Sequence, residues 1–175
     1  NDSVPSFPAG FNLDNILAVA AIDRADKLAS FSNFGRNSVH LGAPGVQIFS
    51  TSSRSDNAYT ALDGTSMATP HVAGAAALLL ARYPDASVLE LRQRLLTTVA
   101  PTPALATTTL SGGRLDAAAA LRALDDAGDP LDRLDDHPGH LVVEGGFQRG
   151  DVGERQEAHV AVAGRVLVAV APGHA

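Results

Sequence analysis

Hydrophobic residues along the first part of the chain form short runs separated by turn residues. Residues 15–22 are a nearly continuous run of Ile, Leu, Val and Ala, which is typical of a strand buried on both faces in a parallel sheet. Shorter stretches at residues 38–41 and 46–50 predict two more extended segments, with a Pro-Gly break between them. The polar stretch at residues 51–57 predicts a surface loop. The pattern therefore indicates strands of a parallel sheet.

The next part of the chain predicts three helices. Residues 67–83 are apolar nearly all the way round, which indicates a central helix covered on several sides. Pro70 should lie in its first turn, because only first-turn positions do without the backbone N–H. Ser87 and Glu90 form a capping box at the start of the second helix. Residues 115–124 predict the third. Strands followed by buried helices indicate an α/β fold.

A change of composition marks a boundary after the third helix. Residues 125–136 contain six aspartates and one arginine among Gly and Pro, which predicts a charged, extended linker. Beyond it, three short strands are predicted at residues 141–143, 159–163 and 166–171. We therefore divide the chain into a main region, an acidic linker and a C-terminal extension of unknown fold with β character, at residues 1–124, 125–140 and 141–175.

Composition and charge exclude several classes of protein. The chain has 175 residues, of which 45% are hydrophobic, enough for a sizeable core. It has no cysteine, which excludes a disulfide framework. The net charge of −6 argues against nucleic acid or an anionic membrane surface as a partner. No uninterrupted apolar run approaches the length of a membrane span, so we predict no membrane segment.

Ser66 is the residue with the clearest chemistry. It stands after a glycine at the expected start of the buried helix. A serine at such a turn exposes its hydroxyl, and its N–H at a helix start can stabilise an oxyanion. On these grounds alone, a plain helix N-cap explains the serine equally well.

The surrounding sequence resembles a known family. Residues 64–74 read G-T-S-M-A-T-P-H-V-A-G, which is similar to the motif around the nucleophilic serine of subtilases. Further similar segments occur in the same order over about residues 3–124: F-P-A at 7–9, I-L-A-V-A-A at 16–21, A-S-F-S-N-F-G at 29–35, A-P-G-V at 43–46 and G-R-L-D-A-A at 113–118. The resemblance implies a partial subtilisin-like three-layer fold with a parallel sheet.

The resemblance also implies roles for individual residues. Ser66 would attack the peptide carbonyl, form the acyl-enzyme and donate its N–H to the oxyanion. Gly64, Thr65 and Met67 would contact substrate, although Thr65 is equally well explained as a turn residue and Met67 is compatible with a core position. A loop of three residues would form one wall of the primary specificity pocket, with a plain surface loop as the alternative: Phe7, Pro8 and Ala9.

The rest of the catalytic machinery is not in this sequence. Neither the H-G-T segment of the general base nor the D-[ST]-G segment of the triad aspartate occurs. His71 lies five residues after Ser66 and so points about 140° away round the helix. We therefore expect a serine endopeptidase that is inactive as this chain alone, with a peptide or protein substrate and the missing N-terminal half of the domain as partners. The alternative is a non-catalytic remnant or binding module.

Two further expectations follow from the family pattern. Subtilases are mostly secreted, which implies an extracellular location. The loop at residues 7–10 often supplies carbonyl ligands to calcium together with an aspartate before A-P-G, but His40 occupies that position here and calcium prefers oxygen. We therefore assign no metal ligand and no cofactor. A sheet without its remaining strands would expose an edge, which predicts self-association.

Overall fold

The computed structural model describes residues 2–125, 160–163 and 166–170. Its elements in chain order are β1 (Ile16–Ile22), β2 (Leu41–Pro44), β3 (Ile48–Thr51), β4 (Tyr59–Leu62), α1 (Thr65–Arg82), α2 (Val88–Thr97), β5 (Ala100–Pro101), β6 (Gly113–Arg114), α3 (Ala117–Asp125), β7 (Val160–Ala163) and β8 (Val166–Val170).

The main sheet has six strands in the order β5-β6-β2-β1-β8-β7. Strand β1 runs parallel to β2 on one side and to β8 on the other, and β2 runs parallel to β6. The outer strands β5 and β7 are antiparallel to their neighbours. Strands β3 and β4 form a separate antiparallel hairpin. The predicted α/β fold with a parallel sheet is confirmed.

Small and branched apolar side chains build the core. All seven residues of β1 are buried, because the strand has neighbours on both edges and α1 packs against it. Helices α2 and α3 contact α1 in turn. Core side chains of α1 include Val72, Ala76 and Leu79, each fully buried. This close packing fixes the position of α1 relative to the sheet.

The structure corrects two predictions about α1. The helix begins at Thr65, so Pro70 lies inside it rather than in its first turn, and the carbonyl of Ser66 lacks the helical N–H that residue 70 would otherwise donate. The helix is also not covered all round. Within the described part of the chain one side of α1 packs on the sheet, α2 and α3, and seven of its residues are exposed: Pro70, His71, Gly74, Ala77, Leu78, Ala81 and Arg82.

The strand predictions also need correction. The second strand is Leu41–Pro44 rather than residues 38–41, because its register is set by pairing of Val19 with Leu41. Strand β4 was not predicted, although its Tyr and Thr favour strands. Two of the three strands expected in the C-terminal extension are confirmed as β7 and β8. The third, at residues 141–143, and the linker beyond Asp125 lie outside the described residues.

Strand β1 has a partner on each of its two edges. Residues 16–19 of β1 pair in parallel with residues 167–170 of β8. The C-terminal hairpin thus extends the main sheet instead of standing apart from it. The boundaries of the three predicted regions remain a prediction.

Candidate active site

The start of α1 gives Ser66 its setting. Gly64 is the N-cap, with φ of 156° and ψ of 155°, a conformation that is essentially restricted to glycine. Its carbonyl accepts hydrogen bonds from the N–H groups of Met67 and Ala68, at 3.0 and 3.3 Å. Ser66 is therefore the second helical residue. The alternative that it serves as a plain N-cap is wrong.

The first turn of α1 leaves its positive end open. The N–H of Ser66 has no acceptor within the helix because it lies in the first turn. The N-cap glycine provides no side-chain acceptor, and no acidic residue occurs in the first turn. The helix dipole and the Ser66 N–H are therefore both available to a negatively charged oxygen.

Two hydrogen bonds connect this turn to the sheet. The N–H of Gly45 donates to the carbonyl of Ile22 at 2.9 Å, and the N–H of Gly64 donates to the carbonyl of Gly45 at 2.8 Å. Ile22 ends β1, and it pairs with Pro44, which ends β2. Ser66 thus stands at the carboxyl edge of the parallel strands, where open α/β sheets usually bind their ligands.

Gly45 makes the close approach possible. A Cβ atom at this position would lie 2.6 Å from the Cβ of Ala21 and 2.8 Å from the carbonyl oxygen of Gly64. Only a residue without a side chain lets the turn after β2 sit between β1 and the start of α1. Gly45 was not among the predicted site residues, although its place in the A-P-G segment was a usable signal.

The β3–β4 hairpin lies beside the first turns of α1. The backbone N–H of Gln47, before β3, donates to Oδ1 of Asp63, after β4. Phe49 and Tyr59 stack across the hairpin with ring centroids 5.5 Å apart. Met67 and Pro70 line a cavity of about 420 Å³ together with residues of both strands. The predicted position of Met67 near substrate is compatible with this cavity.

Neither histidine in the described part of the chain contacts Ser66. Nδ1 of His71 is 2.9 Å from the carbonyl of Met67, one helical turn back. His40 is buried beside Ala18 in the amino half of β1. Burial, together with the nearby Arg92, lowers the pKa of His40 to about 4. Both imidazoles are thus engaged away from the candidate nucleophile.

The predicted substrate residues fall into two groups. Gly64, Thr65 and Met67 adjoin Ser66, and Thr65 is buried while its carbonyl accepts from the hydroxyl of Thr69. The loop of Phe7, Pro8 and Ala9 precedes the other end of β1, where Ala9 is buried with Ile16 and Ala18.

Metal binding and membrane insertion find no support in the described residues. Residues 2–125 and the two strands of the C-terminal hairpin contain no group of three or more His, Cys, Asp or Glu side chains placed to hold a metal ion. None of the helices in that same part of the chain is both long and apolar enough to cross a bilayer.

Comparison with known proteins identifies the relatives of this arrangement. The model of the subtilase family matches residues 1–131. Subtilisin DY of Bacillus licheniformis is 48% identical over 92 residues, which are 53% of this chain and 32% of that protein. Subtilisin BL of Lederbergia lenta is 43% identical over 118 residues, covering 67% of this chain and 41% of that protein.

Solved structures agree with the sequence relatives. A protease of Pseudoalteromonas arctica PAMC 21717 superposes with a TM-score of 0.59 and 34% identity, covering 67% of this chain and 38% of that one. The self-cleaved protease domain of PatA gives a TM-score of 0.57 and 32% identity, over 70% of this chain and 45% of that one. The chain thus spans less than half the length of each of these relatives.

Proposed function

This chain belongs to the subtilase family, and on that basis we propose that it supplies the nucleophile of a serine endopeptidase, Ser66. The observation that carries the proposal is the N–H of Ser66 at the open first turn of α1, fixed to the carboxyl edge of the sheet through Gly64 and Gly45. A serine in this place presents its hydroxyl and an oxyanion donor to the same carbonyl group.

The proposed reaction follows from that geometry. The hydroxyl oxygen of Ser66 forms a bond to the peptide carbonyl carbon while its proton passes to a general base. The carbonyl oxygen becomes an oxyanion that accepts the N–H of Ser66 near the positive end of α1. Collapse breaks the C–N bond, the amine leaves with the proton from the base, and an acyl-enzyme remains on Ser66. Water then hydrolyses the ester.

The substrate is a peptide or a protein in this proposal. Gly64, Thr65 and Met67 adjoin the reacting hydroxyl, and the cavity beside Met67 has room for side chains on one side of the cleaved bond. The loop of Phe7, Pro8 and Ala9 forms one wall of the primary specificity pocket in this proposal. Phe7 is more than half exposed and its ring packs on Phe11, with 4.7 Å between centroids. We place the enzyme outside the cell, as its subtilisin relatives imply.

The general base and its orienting carboxylate come from outside residues 1–175 in this proposal. No H-G-T or D-[ST]-G segment is in the sequence, and both described imidazoles are engaged elsewhere. The partner is therefore a segment that carries those motifs, the N-terminal half of a subtilase domain. The exposed side of α1, which includes Leu78, is a surface that such a segment can cover.

A non-catalytic module is the competing function. The observation in its favour is that neither His40 nor His71 contacts Ser66. In this case the open helix start and the exposed side of α1 would serve binding alone.

A fluorophosphonate probe separates these functions, because it reacts only with an activated serine. The chain is treated with the probe alone and after mixing with the N-terminal segment of a subtilase domain that carries the D-[ST]-G and H-G-T motifs, with Ser66→Ala as the control. Labelling of Ser66 only in the mixture supports the endopeptidase. If native electrophoresis shows the two pieces bound and Ser66 remains unlabelled, the non-catalytic module is favoured. Strong labelling of the chain alone would mean a self-sufficient hydrolase.

A further inference from the structure

Three backbone carbonyls at the start of β1 converge on one nitrogen of a side chain from α2. Nη1 of Arg92 donates to the carbonyl oxygens of Leu13 and Asp14, each at 3.3 Å, and to that of Ile16 at 2.7 Å. A ring of carbonyl oxygens is the arrangement that usually holds a hard metal cation. Here its centre is the guanidinium, which carries a permanent positive charge and only donors.

His40 borders the other end of the guanidinium. Nδ1 of His40 accepts from the backbone N–H of Ala18 at 2.9 Å, and Nε2 lies 2.9 Å from Nη2 of Arg92. A neutral imidazole has one lone pair and one N–H. The single lone pair can therefore accept from Ala18 or from the guanidinium, but the ring carries no negative charge in either case. The position before A-P-G thus offers neither an oxygen ligand nor negative charge.

Within residues 2–125 no carboxylate forms an ion pair with Arg92. Asp14 contacts Arg92 only through its backbone carbonyl. The carboxylate of Asp2 accepts from Ser38 and from the backbone N–H of Asn37 instead. A divalent cation entering this turn would have to displace a guanidinium and would find only neutral carbonyls. The three carbonyls around Arg92 and the ring of His40 therefore do not fit a calcium ion.

We propose that Arg92 is the built-in cation of this turn: its guanidinium takes the place of a metal ion, ties α2 to residues 13–16, and makes this part of the fold independent of calcium. His40 completes the substitution because it replaces a carboxylate with a neutral ring. The loop that carries Phe7 and Ala9 leads into β1 through this turn. Arg92 therefore helps to fix the position of the loop, because it holds the residues that connect the loop to β1.

The wild-type chain gives the first test. Backbone amide resonances of residues 13–18 are followed by NMR during titration with CaCl₂ after treatment with EDTA. We expect no shift of these resonances, whatever happens in the acidic segment at residues 125–136. Saturable shifts within residues 13–18 would overturn the proposal. This test requires no variant and no catalytic activity, so its failure is distinct from failure of the proposed endopeptidase function.

Variants give the second test. Arg92→Ala is expected to lower the melting temperature and to speed hydrogen exchange at the Ala18 amide, with no recovery in CaCl₂. Arg94→Ala removes the same charge from the same helix and should change neither quantity. Equal behaviour of the two variants would overturn the proposal.

A double variant tests the exclusion of calcium directly. Arg92→Ala with His40→Asp removes the guanidinium and restores a carboxylate beside the three carbonyls. We expect CaCl₂ to raise its melting temperature and to shift residues 13–18, while the single variant His40→Asp stays indifferent to CaCl₂ because Arg92 still fills the turn. Calcium binding by the single variant at residues 13–18, or none by the folded double variant, would refute the assignment.

Discussion

The backbone N–H of Gly64 donates to the carbonyl oxygen of Gly45 at 2.8 Å, so the turn after β2 and the residue that starts α1 are fixed to each other. Each glycine is required for a different reason. Gly64 has a φ of 156°, and Gly45 leaves no room for a side chain between Ala21 and Gly64. The position of Ser66 depends on this contact, because Ser66 follows Gly64 by two residues.

Gly45→Ala should displace the start of α1. The added Cβ would meet the carbonyl oxygen of Gly64 at 2.8 Å, and we expect a loss of about 1 to 3 kcal/mol in the free energy of unfolding, as for other overpacked sites. Urea unfolding measures the loss. Fluorophosphonate labelling of the complemented form should fall as well. Unchanged stability and labelling would show that the contact does not position Ser66.

Gly74→Ala is the control for Gly45→Ala, and it should change stability in the opposite direction. Gly74 is exposed inside α1, and a Cβ there meets no atom within 4 Å. Alanine favours the helix, so the free energy of unfolding should rise by about 0.5 to 1 kcal/mol. Urea unfolding of the chain alone is the measurement. A loss of stability would mean that this side of α1 is covered in solution.

Ser87→Ala should weaken the start of α2. The Ser87 hydroxyl accepts from the N–H of Glu90, and the Glu90 carboxylate accepts from the N–H of Ser87 at 2.7 Å. Removing such a cap costs about 1 kcal/mol, which thermal or urea unfolding will detect. Ser53→Ala, in the exposed hairpin loop, is the control. An equal effect of both substitutions would contradict the role of the capping box.

Acid should destabilise the fold through His40. Its pKa is lowered from the ordinary value of 6.5 to about 4, so between these values the unfolded chain binds a proton that the folded chain does not. Stability is therefore complete above pH 6.5 and falls as the pH drops towards 4, by on the order of 3 kcal/mol in total.

Unfolding measurements across this pH range test the assignment. His40→Asn removes the titrating ring and should flatten the dependence. Asp2, whose pKa is lowered by its hydrogen bond from Ser38, contributes only below its ordinary value of 3.8, outside this window. The same slope in the wild type and in His40→Asn would show that another group is responsible.

Deleting residues 160–175 should make the chain self-associate. Strand β8 is the parallel partner of β1 along residues 16–19, and its removal would leave an apolar strand with an open edge. Light scattering after size-exclusion chromatography measures the change. Deleting residues 171–175 alone keeps β8 and serves as the control. A monomeric deletion variant would show that the hairpin is not needed at this edge.

Local sequence was enough to predict much of the framework. The apolar run of β1, the capping box of α2 and the three helices were predicted correctly because each depends on residues close together in the chain. The motif around Ser66 was sufficient to identify the family. Strand β4 was missed, and the second strand was shifted, because short strands are defined by their partners rather than by their own composition.

The sequence by itself determined which residues form the buried strand, where the three helices lie and which serine stands in the family motif, because these properties reside in propensity, capping and a contiguous motif. Tertiary structure alone decided that Gly45 supports Gly64, that one side of α1 is uncovered, and that Arg92 reaches carbonyls 76 to 79 residues away. Such contacts depend on how segments that are distant in the sequence pack together, and a local sequence pattern does not specify which distant residues come into contact.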